Sequence, residues 1–148
     1  MQVDPQPSSP LLHISSLRCH LLVVPVDEPV RNSFRVLTER TALLIEVTDT
    51  DGVVGWGEVW SNYPPGGARH RATLLREVMA PLLEGQRFGS PSEAFAMLER
   101  SLRVPALQCG EPGPFAQVTA GVDIALWDLA ARKLDMPLWK WLGGVAEV

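Results

Sequence analysis

Apolar and polar residues alternate along the first third of the chain and recur every three to four positions along the rest. That change of period predicts strands followed by helices. From Ile14 to Val24, aliphatic and β-branched residues mark a first strand with Leu17, Cys19, Leu21 and Val23 on one face. From Thr41 to Thr48, Leu43, Ile45 and Val47 alternate with Leu44, Glu46 and Thr48, the period of a half-buried strand. Asp49-Thr50-Asp51-Gly52 is a tight-turn signal in which the glycine supplies a positive φ. A third strand, Val53 to Trp60, follows directly, and the three together predict an antiparallel meander.

This topology places two connections at one end of the sheet. One is a loop of about fourteen residues from Pro25 to Thr38, longer than the usual hairpin loop of about 2–5. The other is Ser61-Asn62-Tyr63-Pro64-Pro65-Gly66-Gly67, which leaves the third strand. Asn32, Phe34, Trp60, Asn62 and Tyr63 on this rim are the candidate ligand-facing residues. The alternative for Phe34 and Tyr63 is that they staple their loops to the body.

The remainder reads as helices. Ala68, Ala72, Leu75, Met79 and Leu82 form an amphipathic stripe, with Pro81 bending or ending the helix and Gly85 suited to cap it. Ser90-Pro91-Ser92-Glu93 opens a second helix with a capping box, and its core face is Ala94, Phe95, Leu98 and Leu102. Val104 to Pro114, with three prolines and two glycines, is expected to be a loop. Phe115 to Met136 is the longest helix, apolar on almost every face and stopped by Pro137, and a last short helix runs from Leu138 to Leu142. The fold class is therefore α+β, a three-stranded antiparallel meander followed by a helical bundle.

Composition narrows the function classes. The 148 residues suit one domain and cannot hold a (β/α)8 barrel of about 250 residues. A net charge of −4 without a basic stripe argues against nucleic acid as a partner. Met1 to Pro10 lacks the basic and apolar regions of a signal peptide, and no apolar run is long enough to span a bilayer. With only Cys19 and Cys109 there is no disulfide framework, so a reduced cytoplasmic protein is expected.

Catalytic chemistry is sparse. His13 and His20 are seven apart in one strand and face opposite sides, and His70 lies between Arg69 and Arg71 on a solvated helix face. Gly55-Trp56-Gly57-Glu58 fails the dinucleotide pattern, since Trp60 holds the third glycine's place; two glycines one apart in a strand mark a bulge or a close backbone approach. Glu58 is either a buried hydrogen-bonded carboxylate or an exposed strand residue. Asp123 and Asp128 are acids in an apolar helix, about 140° apart around its axis and so no simple dyad. Asp128 suits an ion pair with Arg132, and Asp123 a hydrogen bond to the backbone or serines of the meander, or to a partner domain. Lys133 and Lys140 lie near helix C-termini, and neither is expected to be buried.

The order of these motifs resembles the N-terminal capping domain of the enolase superfamily, within it the mandelate racemase/muconate lactonizing enzyme group. The resemblance is carried by Gly55-Trp56-Gly57-Glu58 after the Asp51-Gly52 turn, Ala120-Gly121-Val122-Asp123-Ile124-Ala125-Leu126-Trp127-Asp128-Leu129-Ala130, Met136-Pro137-Leu138 and Leu142-Gly143-Gly144. It covers His13 to Gly144 and implies a capping domain over 13–144, preceded by a flexible segment, 1–12, and followed by the possible start of a barrel at 145–148. It further implies a partner (β/α)7β barrel and a small carboxylate substrate. The chemistry would be α-proton abstraction by a racemase, dehydratase or cycloisomerase, with Mg2+ and the catalytic bases on the barrel. The segments resembling the family's specificity loops are Val26–Leu37 and Trp60–Gly66, the same rim reached from topology. No catalytic residue and no metal ligand is assigned within this chain, and homo-oligomerisation is expected. The alternative is a free-standing binding or oligomerisation module that covers the apolar faces of the helix Phe115 to Met136 and the tail residues Trp139, Trp141 and Val145 by self-association. A self-contained enzyme ranks behind both, for want of a catalytic constellation.

Overall fold

The computed structural model describes residues 7–33 and 36–145. Strands β1 (Leu12–Arg31), β2 (Val36–Asp49), β3 (Val54–Val59) and β4 (Arg87–Phe88) form an antiparallel sheet in the order β3-β2-β1-β4. The meander is thus present with a fourth, two-residue strand that no hydrophobic period announced. Helices follow: α1 (Gly67–Leu74), a π-helical stretch (Leu75–Met79), α2 (Ala80–Leu83), α3 (Pro91–Gln108), α4 (Pro112–Lys133) and α5 (Leu138–Trp141). Among the described residues no helix is long and apolar enough to cross a membrane.

The core lies between one face of the sheet and the helices. Leu43, Ile45 and Val47 of β2 are fully buried, opposite Leu21, Cys19 and Leu17 of β1. Leu12 and Ile14 are buried too, although they lie on the other phase of β1; a register shift between Ile14 and Ser16 rotates the strand and brings both sets inward. Leu12 therefore belongs to the sheet, and the carbonyl of Pro7 accepts the indole N–H of Trp141 at 3.2 Å. This bond ties the earliest described residues to α5. Trp141, expected to need covering by a partner, is already buried against Trp127, with ring centroids 4.9 Å apart.

Four expectations need correction. The connection Pro25–Thr38 is not a fourteen-residue loop. β1 and β2 continue as a two-stranded ribbon, pairing Pro25 with Glu39, Val30 with Leu37 and Arg31 with Val36, with a register shift that accommodates Asp27, Glu28 and Pro29. Prolines and charges sit comfortably on such a ribbon because no further strand demands their N–H groups. Val104–Pro114 is likewise mostly helical. α3 runs through Pro105 and stops at Gly110, whose φ of 68° lets Glu111 donate to the Ala106 carbonyl; α4 then starts at Pro112. Phe95 is exposed, because α3 buries the stripe Ala94, Leu98, Leu102 and Ala106 and Phe95 stands at its edge. Pro81 neither breaks nor ends its helix. The chain widens to a π turn ahead of it, Ala80 donating to Leu75, which accommodates a residue that cannot donate.

Glycines decide how α4 lies on the sheet. Gly55, Gly57 and Val59 face α4 from β3, and Cβ atoms at the two glycines would stand 2.3 Å and 2.2 Å from the carbonyl oxygens of Ala125 and Gly121. Gly121 reciprocates, since a Cβ there would meet Val59 Cγ2 at 2.6 Å. The Gly55-x-Gly57 pair marks close backbone approach and not a bulge, and the β2–β3 register is unbroken.

Candidate functional site

The candidate rim forms where the β1–β2 ribbon passes the exit of β3. β3 ends opposite Leu43, so the sheet narrows there from three strands to two. Asn32 lies in the turn at the ribbon's far end, and Phe34 falls outside the described residues. Trp60 and Tyr63 are exposed where the chain leaves β3, while Asn62 is half-buried. A cis peptide joins Tyr63 to Pro64. The chain then turns at Gly66, whose φ of 79° allows its carbonyl to accept the N–H groups of Arg69 and His70 and so start α1.

Trp60, Asn62 and Tyr63 are brought together by sequence, and Asn32 stands beyond them at the tip. Between ribbon and exit segment runs a cleft of about 80 Å³. Leu21, Val23, Glu39 and Thr41 line it from the ribbon, and Ser61, Asn62, Pro64, Pro65 and Arg69 from the other side. Ser61, Glu39, Thr41 and Arg69 were not singled out from the sequence. For Ser61 a signal existed: the buried positions Gly55, Gly57 and Val59 continue to residue 61, putting a hydroxyl where the strand's inward phase calls for an apolar group.

The remaining polar candidates hold the frame. Asp128 accepts the N–H of Trp56 at 2.8 Å and the Nε–H of Arg132 at 2.7 Å. It therefore makes the ion pair read from its spacing and also caps the outer edge of β3. Glu58 is exposed on β3, the second of its two readings. Asp123 is half-buried and hydrogen-bonded by Trp127, its neighbour one turn on, rather than by the meander; burial raises its carboxyl pKa and the Trp127 bond opposes that. His20 pairs with Glu46 at 2.9 Å and lies 5.6 Å from the Trp56 ring, and His70 pairs with Glu111 at 2.9 Å. Arg71 is buried and donates to the Gln117 side chain and the Gly67 carbonyl, fastening α1 to α4.

Lys133 is the clearest departure. Its side chain is 14% exposed and its ammonium sits 2.8 Å from both Asp49 and Asp51, joining the end of α4 to the β2–β3 turn. Burial disfavours its charge, but the two carboxylates outweigh that and raise its pKa. Burial likewise works against the Asp49 carboxylate, yet Lys133 and the backbone N–H groups of His13 and Asp51 hold its pKa below the ordinary value. Among the described residues no group of three or more His, Cys, Asp or Glu could hold a metal ion, and the carboxylates of Asp49 and Asp51 are engaged by Lys133. The donor set here does not fit a magnesium ion.

Comparison with known proteins places this geometry. Residues 18–143 match the sequence profile described as Mandelate racemase / muconate lactonizing enzyme, N-terminal domain. The crystal structure of a mandelate racemase/muconate lactonizing enzyme from Bordetella bronchiseptica RB50 is 48% identical with a TM-score of 0.83, covering 93% of this chain and 35% of that one. The o-succinylbenzoate synthase of Bacillus subtilis is 30% identical over 144 residues, 93% of this chain and 35% of the relative. The D-galactarolactone cycloisomerase of Agrobacterium fabrum is 30% identical over 133 residues, 90% of this chain and 32% of the relative. The chain thus spans about a third of the length of these relatives, at their N-terminal side. Sheet, helices and matched span agree: the chain belongs to the mandelate racemase/muconate lactonizing enzyme family, and what it contains is that family's N-terminal domain.

Proposed function

We propose that this chain caps the active site of an enolase-superfamily enzyme that abstracts the α-proton of a carboxylate substrate, as a racemase, dehydratase or cycloisomerase. The observation that carries the reading is the rim. Two segments far apart in sequence, the ribbon and the exit of β3, meet at one end of a rigid α+β body that matches the family's N-terminal domain. Asn32, Trp60, Asn62 and Tyr63 face substrate there, with Phe34, outside the described residues, as a further candidate from the sequence, while Gly55, Gly57, Asp123 and Asp128 hold the frame. The bases and Mg2+ belong to a partner C-terminal barrel, which fits the engagement of Asp49 and Asp51 by Lys133. The two cysteines, both free, suit a reducing cytoplasm.

The test is exchange of the α-proton in deuterium oxide with Mg2+, followed by proton NMR over a panel of carboxylic acids. The chain alone is expected to give none. Adding the C-terminal remainder of the Bordetella bronchiseptica relative is expected to raise exchange above that of the remainder alone. Exchange by this chain unaided, or no gain on mixing, overturns the reading.

A second reading rests on exposed apolar side chains: Leu22, Val23, Val24, Val30 and Val36 on the ribbon, and Trp139, Leu142 and Val145 at the other terminus. A free-standing module would cover them by self-association, and sedimentation as a clean monomer refutes that.

A further inference from the structure

We propose, building on the capping role above, that Arg71 is a positioning residue of the rim, holding the chain that leaves β3 in one conformation from inside the frame. Arg71 is 4% exposed, and none of the ion pairs among the described residues includes it. Burial lowers its pKa, and the charge of Glu111 opposes that from a distance while the Glu111 carboxylate itself pairs with His70. A guanidinium buried among neutral acceptors has given up its hydration without gaining a counter-charge. Such a group adds little net stability, so its use lies in the geometry it fixes.

That geometry is a rigid fork with two directions. Nε and Nη2 both donate to Gln117 Oε1 on α4, the first at 2.7 Å, and Nη1 donates to the Gly67 carbonyl at 3.0 Å. Gly67 is the first residue of α1, and its own N–H donates to the Pro64 carbonyl at 2.8 Å, one residue after Tyr63. Packing points the same way: a Cβ on Gly67 would stand 2.8 Å from Arg71 Nη1 and 3.3 Å from Pro64 Cδ, so guanidinium and proline ring both flank this residue. α4 is in turn seated on the sheet by Gly55, Gly57 and Gly121. A continuous path therefore runs from the sheet through α4, Gln117 and Arg71 to the turn that carries Trp60, Asn62 and Tyr63. A residue that only glued α1 to α4 would alter unfolding; a positioning residue alters the folded rim.

Relaxation of the 15N-labelled chain reads that difference in the folded state. Backbone order parameters at Ser61, Asn62 and Tyr63 are expected near about 0.85 in the parent and below about 0.6 in Arg71→Met, with Gly55 and Gly57 unchanged. Arg71→Lys is expected to fall likewise, because a single ammonium does not reproduce the fork. Gly67→Ala approaches from the other side: its methyl displaces the tip of a flexible side chain, so the fold survives while the rim loosens. In the Arg71→Met background the same methyl should add nothing, whereas a clash with Pro64 would act in both. Should Arg71→Met fold poorly, Gln117→Leu removes the same anchor from α4 and decides by the same readout. Parent-like order at 61–63 in these variants, or equal effects of Gly67→Ala in both backgrounds, overturns the proposal. In the exchange assay with the added C-terminal remainder, Arg71→Met is expected to raise KM several-fold with kcat less affected, and an unchanged KM also overturns it. A parent that gives no gain on mixing sinks the capping role alone, and the order parameters still decide whether Arg71 positions the segment.

Discussion

Replacing Gly57 with alanine is expected to be the most disruptive single-methyl change in the molecule's frame. The new Cβ would stand 2.2 Å from the Gly121 carbonyl oxygen and 2.8 Å from the Ala125 nitrogen, both main-chain atoms of α4. Ordinary contact begins near 3.4 Å, so strand and helix must part by about 1.2 Å. No side-chain rotation relieves this, because the obstacles are backbone. A radial gap of about 1 Å forfeits a quarter to a half of each van der Waals contact, and α4 buries Val122, Ala125, Leu126 and Leu129 in this layer. The loss should reach the upper end of the overpacking range, about 3 kcal/mol, against a gain of at most about 1 kcal/mol from stiffening the unfolded chain. Gly113→Ala is the control: it lies in the first turn of α4, a Cβ there meets nothing within 4 Å, and the change should be neutral or stabilising by up to about 1 kcal/mol. Urea unfolding followed by circular dichroism measures both. A Gly57→Ala midpoint indistinguishable from the parent's would refute the claim that close backbone approach sets the seat of α4.

Three further substitutions probe the rest of the frame. Lys133→Met leaves Asp49, 1% exposed, without its cation and should cost about 3 kcal/mol near neutral pH. Because the folded pKa of Asp49 lies below the usual 3.8, its contribution is present above that value and lost as pH falls through the lower folded pKa. The raised pKa of Lys133 contributes below 10.5 and fades as pH climbs through the folded value. The variant's stability should therefore fall less steeply in acid than the parent's, and equal slopes would contradict the pairing. Asp128→Ala removes the acceptor for Trp56 N–H and the partner of Arg132, costing about 1–2 kcal/mol by chemical denaturation and speeding amide exchange at Trp56. Ser90→Ala deletes the acceptor for Glu93 N–H at the start of α3, with a loss of about 1 kcal/mol; an unchanged thermal midpoint would show that the cap is redundant with the Glu93 bond to Gly89 N–H.

Where pattern and neighbour agree, the fold can be read from the chain. The alternation Leu43, Ile45, Val47 reports burial on one sheet face, and Gly55-x-Gly57 reports a backbone that something must approach. Ser90 with Glu93 reports a helix start three residues long in its logic and entirely local. The misreadings share a cause in context. Pro25, Asp27, Glu28 and Pro29 look like a loop, but a two-stranded ribbon with open outer edges tolerates them. Pro105 looks like a breaker, yet it stands only three residues from the end of α3, where one lost hydrogen bond matters little. Lys133 looked exposed because its partners, Asp49 and Asp51, lie more than eighty positions away, and no local spacing encodes that meeting. The candidate rim was legible through topology, since an up-down-up meander puts two connections at one end. The cleft residues Glu39 and Thr41 are not, because they stand at and just before the start of the second strand, and the segment they face across the cleft begins about twenty residues further on.

The ribbon also gives the rim mechanical leverage. From Leu43, where β3 stops flanking β2, to Val36 near the tip is seven residues, on the order of 23 Å of extended chain. A tilt of about 5° at that fulcrum carries the far end about 2 Å, while Thr41, close to the pivot, moves only about half an ångström. One arm thus combines a nearly stationary floor with a travelling outer edge.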